Sequence, residues 1–410
     1  MARPPVSPID PAADAAGLLR RLGFAILMLV TPLAALVTRR GVVVLVPIGV
    51  ALLAIASVLD GANRQPAATL KGIGASVAGV ASALLFGWCA LSLAWTPFPA
   101  PAAERLGNIA ATLGVVFAGY LALPDRMRSA NLYLLPVGVA AAAVAAIGLG
   151  LFGSGGGRAF NADGQSLARG LVVLVLFVWP SVAWLRSRGR EIEALGLAVA
   201  VALAAIVFPE PMPLIALGVG GIVFALTSSA PALGTRLTAV VLAGTLALAP
   251  LFPLVVRPVA NLFFTPGDPV IASLRVWRNI VFDDPLRLVT GYGFETALRG
   301  RAVGLLPVNA PQSLLFEIWY ELGVVGALAG AVALLFGVIG SGRDHPPLVP
   351  GVMAAFAGAF ALAVLGIGTT EMWWFTALAT LVLVFVAAER GQFRTRRPKA
   401  ILRLRAANDA

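Results

Sequence analysis

Residues 171–185 read LVVLVLFVWPSVAWL, with Arg169 before the run and Arg186, Arg188 and Arg190 after it. No charge interrupts the stretch, and with arginines snorkelling at its ends it is long enough to cross a hydrocarbon core of about 30 Å. Similar segments recur along the chain. Apolar runs at 23–38, 42–59, 72–95, 108–123, 132–152, 170–185, 194–208, 214–227, 237–256, 322–340, 350–368 and 373–389 predict an all-α integral membrane protein with about 12 transmembrane helices. The seventh and eighth are short and are separated only by PEPMP, whose prolines break a helix; a re-entrant pair is the alternative there.

Composition agrees. The chain has 410 residues, of which 59% are hydrophobic and 12% charged, whereas soluble domains carry roughly 25% charged residues. Nineteen acids against thirty Lys and Arg cannot coat a water-facing surface with both signs. The net charge of +11 is spread over short connections instead of one face, which argues against a nucleic-acid footprint. The single cysteine, Cys89, lies in an apolar run and reads as a small buried hydrophobe, excluding an internal disulfide or a thiolate metal site. The single histidine, His345, sits in a polar connection and makes a Ser-His-Asp triad or a histidine-rich metal site improbable. Arg20 and Arg21 precede the first run without a small-residue cleavage pattern, so that run reads as an uncleaved first span.

The basic residues orient the chain. With a cytoplasmic N-terminus, the inside connections and C-terminal tail hold nineteen Lys and Arg, and the short outside loops hold five: Arg39, Arg40, Arg105, Arg158 and Arg169. Both termini are thus expected in the cytoplasm. The expected organisation is a tail at 1–22, about nine helices over 23–256, a large periplasmic loop at 257–313, an interfacial helix and three more spans over 314–389, and a basic tail at 390–410 lying against anionic lipid.

The 257–313 loop is too long and too rich in aromatic residues for a mere connector. Within it, PVIASLRVWRNIVF predicts an amphipathic helix with Ile271, Leu274, Trp277, Ile280 and Val281 on one side, and Arg275 and Arg278 sharing another. Its six basic residues are all arginines: Arg257, Arg275, Arg278, Arg287, Arg299 and Arg301. Arginine presents a planar fork that matches phosphate oxygens bidentately, where lysine is a hydrated point charge. Arg275, Arg278 and Arg287, set among aromatics, are the stronger phosphate candidates; the other three also read as solubilising residues. A second outer loop, GSGGGRAFNADGQSLARGLVV, adds Arg158 and Arg169, the latter at the mouth of a span where a cation is kept for a partner. Spans without a central charge argue against an ion-coupled transporter, and Gly-rich spans such as ALGVGGIVFAL point to close helix packing.

An outer loop with Arg275, Trp277 and Arg278 on one helix, then GYGFET (291–296), then PQSLLFEIWYELGVVG (311–326) resembles the bacterial O-antigen ligase and polysaccharide polymerase superfamily. In that family a His, then Asn, Ser or Gln, is followed by nine residues and Gly-x-x-Gly. Here Gln312 and Ser313 are followed by nine residues, Gly323 and Gly326, with Gln312 in place of the histidine. The resemblance implies a metal-independent glycosyltransferase without a cofactor. Such an enzyme moves a glycan from an undecaprenyl-diphosphate carrier to a hydroxyl acceptor, on a lipid A core or a growing surface polysaccharide, at the periplasmic face. It implies diphosphate binding by Arg169, Arg275, Arg278, Arg287 and Arg158, and acceptor activation around Gln312 and Glu295, the nearest alternative base. Tyr292, Trp277 and Trp319 are the expected glycan or acceptor contacts, although Trp319 and Tyr320 also suit an interfacial aromatic belt. The missing histidine favours a polymerase, or a divergent exopolysaccharide enzyme, over a ligase. A lipid-linked oligosaccharide flippase, or a silent carrier-lipid binder, is the alternative.

Overall fold

The computed structural model describes residues 11–38, 40–61, 65–152, 160–260, 268–283, 287–343, 346–367 and 371–392, without the side chains of 160–165, 259, 260, 282 and 283. Arg158, His345 and the tail from 393 lie outside the described residues.

Among the described residues the chain is all-helical. The elements are α1 (Pro11–Val37, with a π-turn at Ile26–Val30), α2 (Gly41–Leu59), α3 (Pro66–Ala75), α4 (Val77–Ser92), α5 (Pro99–Ala122) and α6 (Ser129–Phe152). They continue with α7 (Phe160–Ser187), α8 (Glu191–Val207), α9 (Met212–Ser229), α10 (Pro231–Ala247), α11 (Phe252–Ala260) and α12 (Pro269–Asp283). The last are α13 (Arg287–Thr290), α14 (Thr296–Ala302), α15 (Leu314–Ser341), α16 (Val349–Val364) and α17 (Met372–Arg390).

The 171–185 run lies in α7, the innermost helix, and 89% of its apolar window is buried. It is apolar on all sides because α1, α6, α8, α9, α16 and α17 all pack against it. Phe177 and Trp184 are completely buried within it. The outermost helices instead expose apolar side chains: Val144, Ile192, Leu195, Ile222 and Val240 are each more than half exposed. A water-facing surface would not carry so many, and in lipid they need no cover. The glycine of the ALGVGGIVFAL span admits a close approach, since a Cβ at Gly220 would stand 2.4 Å from the Trp179 ring.

The protein is therefore an all-helical, membrane-embedded chain. Among the described residues, eight helices are long and apolar enough to cross a membrane, or ten if each of two bent pairs makes one span. The run at 72–95 is not the continuous helix the sequence suggests: α3 and α4 meet at 89°, where extended Ser76 caps α4 by accepting from the Gly79 N–H at 3.0 Å. The run at 237–256 likewise bends by 66° between α10 and α11, around Pro250, which has no N–H to donate. The segments at 194–208 and 350–368 form helices of 17 and 16 residues, short of a full span, so a count of twelve requires both of these as well.

Candidate functional site

The amphipathic stretch of the long loop forms α12, with Ile271, Leu274 and Trp277 buried and Arg275 exposed on the opposite side. What holds this loop to the bundle is a break in α15. Gly323 has φ 61° and ψ −159°, a backbone region essentially confined to glycine. The break turns three carbonyls toward partners outside the helix. Tyr320 O accepts from the Tyr292 N–H at 2.8 Å, Glu321 O from the Gly293 N–H at 2.9 Å, and Leu322 O from the Trp88 indole N–H at 2.8 Å. The GYG segment is thus laid along α15 like a short added strand. A Cβ at Gly291 would come 2.2 Å from Glu321 O, and one at Gly326 would meet the Leu322 Cβ at 2.2 Å, so the Gly-x-x-Gly spacing is what this kink requires. Gly323→Ala should cost about 2 kcal/mol from backbone strain, with Val289 O only 2.5 Å from the added Cβ. Gly337→Ala, in open space on the same helix, is the control; thermal unfolding in detergent should show a lowered midpoint for the first and none for the second.

Below the GYG segment lie three buried carboxylates. Glu295, with left-handed φ 71° and 3% exposure, receives an Arg105 Nη1–H bond and faces Arg299 Nε at 3.6 Å. Glu317 pairs with Arg301 at 3.0 Å, and Glu321 Oε1 accepts the Ala297 N–H at 3.0 Å, capping the first turn of α14. Thr96 Oγ1 donates to Phe294 O at 2.9 Å, while Ser92 Oγ accepts the Phe294 N–H at 3.1 Å. Cys89 is buried beside this network, against Leu106, Phe294 and Leu322. Three arginines thus pair with two of the glutamates, Glu295 and Glu317, while Glu321 is held by a backbone N–H, which suits a rigid anchor: a buried charge must be paired to be tolerated. Glu295, the base suggested by sequence, is sequestered in this anchor.

Above the anchor the aromatic residues assemble. Tyr292 stacks on Tyr320 with centroids 4.4 Å apart, Tyr320 on Phe316 at 5.3 Å, and Phe316 meets Trp277 edge-on at 5.8 Å. Trp319 is fixed by its indole N–H donating to Leu246 O at 2.8 Å. Trp277, Tyr292 and Trp319 line one narrow cleft with Arg287, whose guanidinium lies 5.5 Å from the Tyr292 ring centroid. The cleft has room for about one water molecule, so its rim presents the accessible chemistry.

The arginines of this end sort into two groups. Arg105, Arg169, Arg299 and Arg301 are in ion pairs. Arg275, Arg278 and Arg287 make none among the described residues; Arg278 reaches only the Asn279 side-chain oxygen, at 3.4 Å. Arg257 also has no ion pair there, and its Nε is buried without a partner. Three of the sequence candidates for phosphate are therefore without an ion pair among the described residues. Arg169 has one: its Nη2 bonds Glu371 Oε2 at 2.5 Å, and its guanidinium lies over Trp373.

Gln312 is exposed in the extended segment before α15. On one side, Arg301 Nη1 donates to Pro311 O at 3.4 Å. On the other, Gly366 packs so closely that an added Cβ would stand 3.0 Å from Gln312 O. Two residues on, Leu314 opens an apolar groove of about 540 Å³ between α15, α16 and α17, which it lines with Phe360 and Trp374 and which reaches Glu389 at the far end. Sequence reasoning passed over Arg105 and Glu371. Their signals were slight: an arginine in an outer connection, and a lone carboxylate beside MWW in another. No family model matches this chain, and no curated protein matches it.

Proposed function

We propose that the protein is a membrane glycosyltransferase that moves a glycan from a polyprenyl-diphosphate carrier to a hydroxyl acceptor at the outer face of a bacterial inner membrane, in the manner of O-antigen ligases and polymerases. The observation that carries this reading is the set of arginines that have no carboxylate partner among the described residues. Arg275 and Arg278 on α12, and Arg287 on the cleft rim, keep their forks available while neighbouring cations are spent on the anchor. The acceptor oxygen attacks the anomeric carbon, the bond from that carbon to the diphosphate oxygen breaks, and the carrier leaves as its diphosphate. Charge accumulates on the leaving group, which preorganised guanidinium groups stabilise without a proton transfer. Half-buried Tyr292 suits contact with a sugar at the rim, whereas Trp277 and Trp319 are buried and form the cleft wall, and the groove that begins at Leu314 suits a polyprenyl tail. Spans beyond the ten counted above, the periplasmic setting and the cytoplasmic termini belong to the same proposal and rest on the distribution of basic residues.

Binding tests the reading directly. In lipid nanodiscs, Arg275→Ala/Arg278→Ala should weaken binding of a polyprenyl diphosphate about tenfold or more, each lost charged hydrogen bond being worth about 1.5–3 kcal/mol. Equal affinities would remove its main support. Gln312→His should leave turnover within about threefold, because the exposed amide orients a hydroxyl by hydrogen bonding and takes no proton. A large gain in rate would show instead that this position is the site of proton transfer.

A further inference from the structure

The anchor sequesters Glu295, Glu317 and Glu321, so the acceptor hydroxyl needs a different proton acceptor. We propose that Glu371, immediately before α17, is that general base, acting through Oε1; the inference rests on the glycan-transfer reading above. Both of its donors bind one oxygen: Arg169 Nη2 at 2.5 Å and the Trp373 indole N–H each meet Oε2. Oε1 has no partner among the described residues, and the side chain is 45% exposed. Two donors on one oxygen fix the carboxylate's direction and leave the other oxygen to receive a proton, the division of labour expected of a positioned base.

Its location fits. Gly366, two residues past α16, touches the Gln312 backbone, and Leu314 and Trp374, two and three residues from Gln312 and Glu371, line the same groove. Gln312 orients the acceptor hydroxyl and Glu371 Oε1 removes its proton as the oxygen bonds the anomeric carbon. The diphosphate departs with the electron pair of the broken C–O bond, and the proton passes from Glu371 to water. Arg169 then acts as a positioning residue, not a phosphate ligand.

The test uses full-length protein in nanodiscs with a polyprenyl-diphosphate glycan and a sugar acceptor. Glu371→Gln keeps an oxygen for Arg169 and Trp373 but cannot take a proton; turnover should fall about 10²- to 10³-fold, with binding of the lipid diphosphate within about twofold. Added formate should restore part of the rate in Glu371→Ala and leave the wild type unchanged. Turnover of Glu371→Gln within about threefold of wild type would overturn the inference alone. So would parallel losses of binding and turnover without rescue by formate, the signature of a merely structural ion pair. A wild-type protein that binds the lipid diphosphate but transfers nothing to any sugar acceptor would overturn both the inference and the glycan-transfer reading.

Discussion

Arg287→Ala should lower turnover of a lipid-diphosphate glycan by about 10²- to 10³-fold while the protein still inserts and unfolds at its usual temperature. Arg287 is exposed, has no ion pair among the described residues, and its guanidinium lies against the Tyr292 ring, so removing it disturbs little structure. A phosphate-directed guanidinium preorganised for the leaving group contributes at the level of an oxyanion-hole donor, and deleting one such donor costs about 2.7–4 kcal/mol in the barrier. Arg287→Lys restores charge but not the bidentate fork and should recover only part of the rate. The check is a steady-state assay of diphosphate release beside a melting curve. An unchanged rate in Arg287→Ala would detach the cleft rim from the chemistry.

Glu317→Ala should be the most destabilising exchange in the anchor. It strands Arg301, whose side chain is 11% exposed and which otherwise bonds Glu317, Ala297 O and Pro311 O. Breaking one partner of a buried ion pair costs about 3–5 kcal/mol, more than the pair's own net contribution, because the remaining charge stays desolvated. Replacing both at once, as in Arg301→Met/Glu317→Leu, should return much of that loss. Exposed Glu193, paired with Arg190 on the surface, is the control; Glu193→Ala should leave the unfolding midpoint where it was. Chemical denaturation in mild detergent reads all of these variants, and additive losses at 301 and 317 would mean that the two residues do not function as a pair.

The helices were legible because each apolar run is a local property of the chain. The 171–185 stretch already reads as a span, although its sequence does not say that it would be wrapped on every side by protein instead of lipid, since both surroundings demand the same side chains. The bend at Ser76 was missed because hydropathy averages across a cap that one serine supplies. In PQSLLFEIWYELGVVG the glycine spacing was visible, but its cause was not. The break at Gly323 matters only once GYG, some thirty residues upstream, lies against it. The sorting of arginines into paired and free has the same origin. Arg105 meets Glu295 and Arg169 meets Glu371 across about two hundred residues, distances that no periodicity encodes.

The most direct test of glycan transfer is turnover by the purified protein. Nanodiscs holding it would be given a polyprenyl-diphosphate glycan, with and without sugar acceptors, and the products resolved on a gel and as released polyprenyl diphosphate. Acceptor-dependent release matched by a lengthened glycan, and lost in Arg275→Ala, Arg278→Ala and Arg287→Ala, is the predicted result. Movement of intact glycan lipid across the bilayer with no release of diphosphate would contradict it and make the protein a flippase.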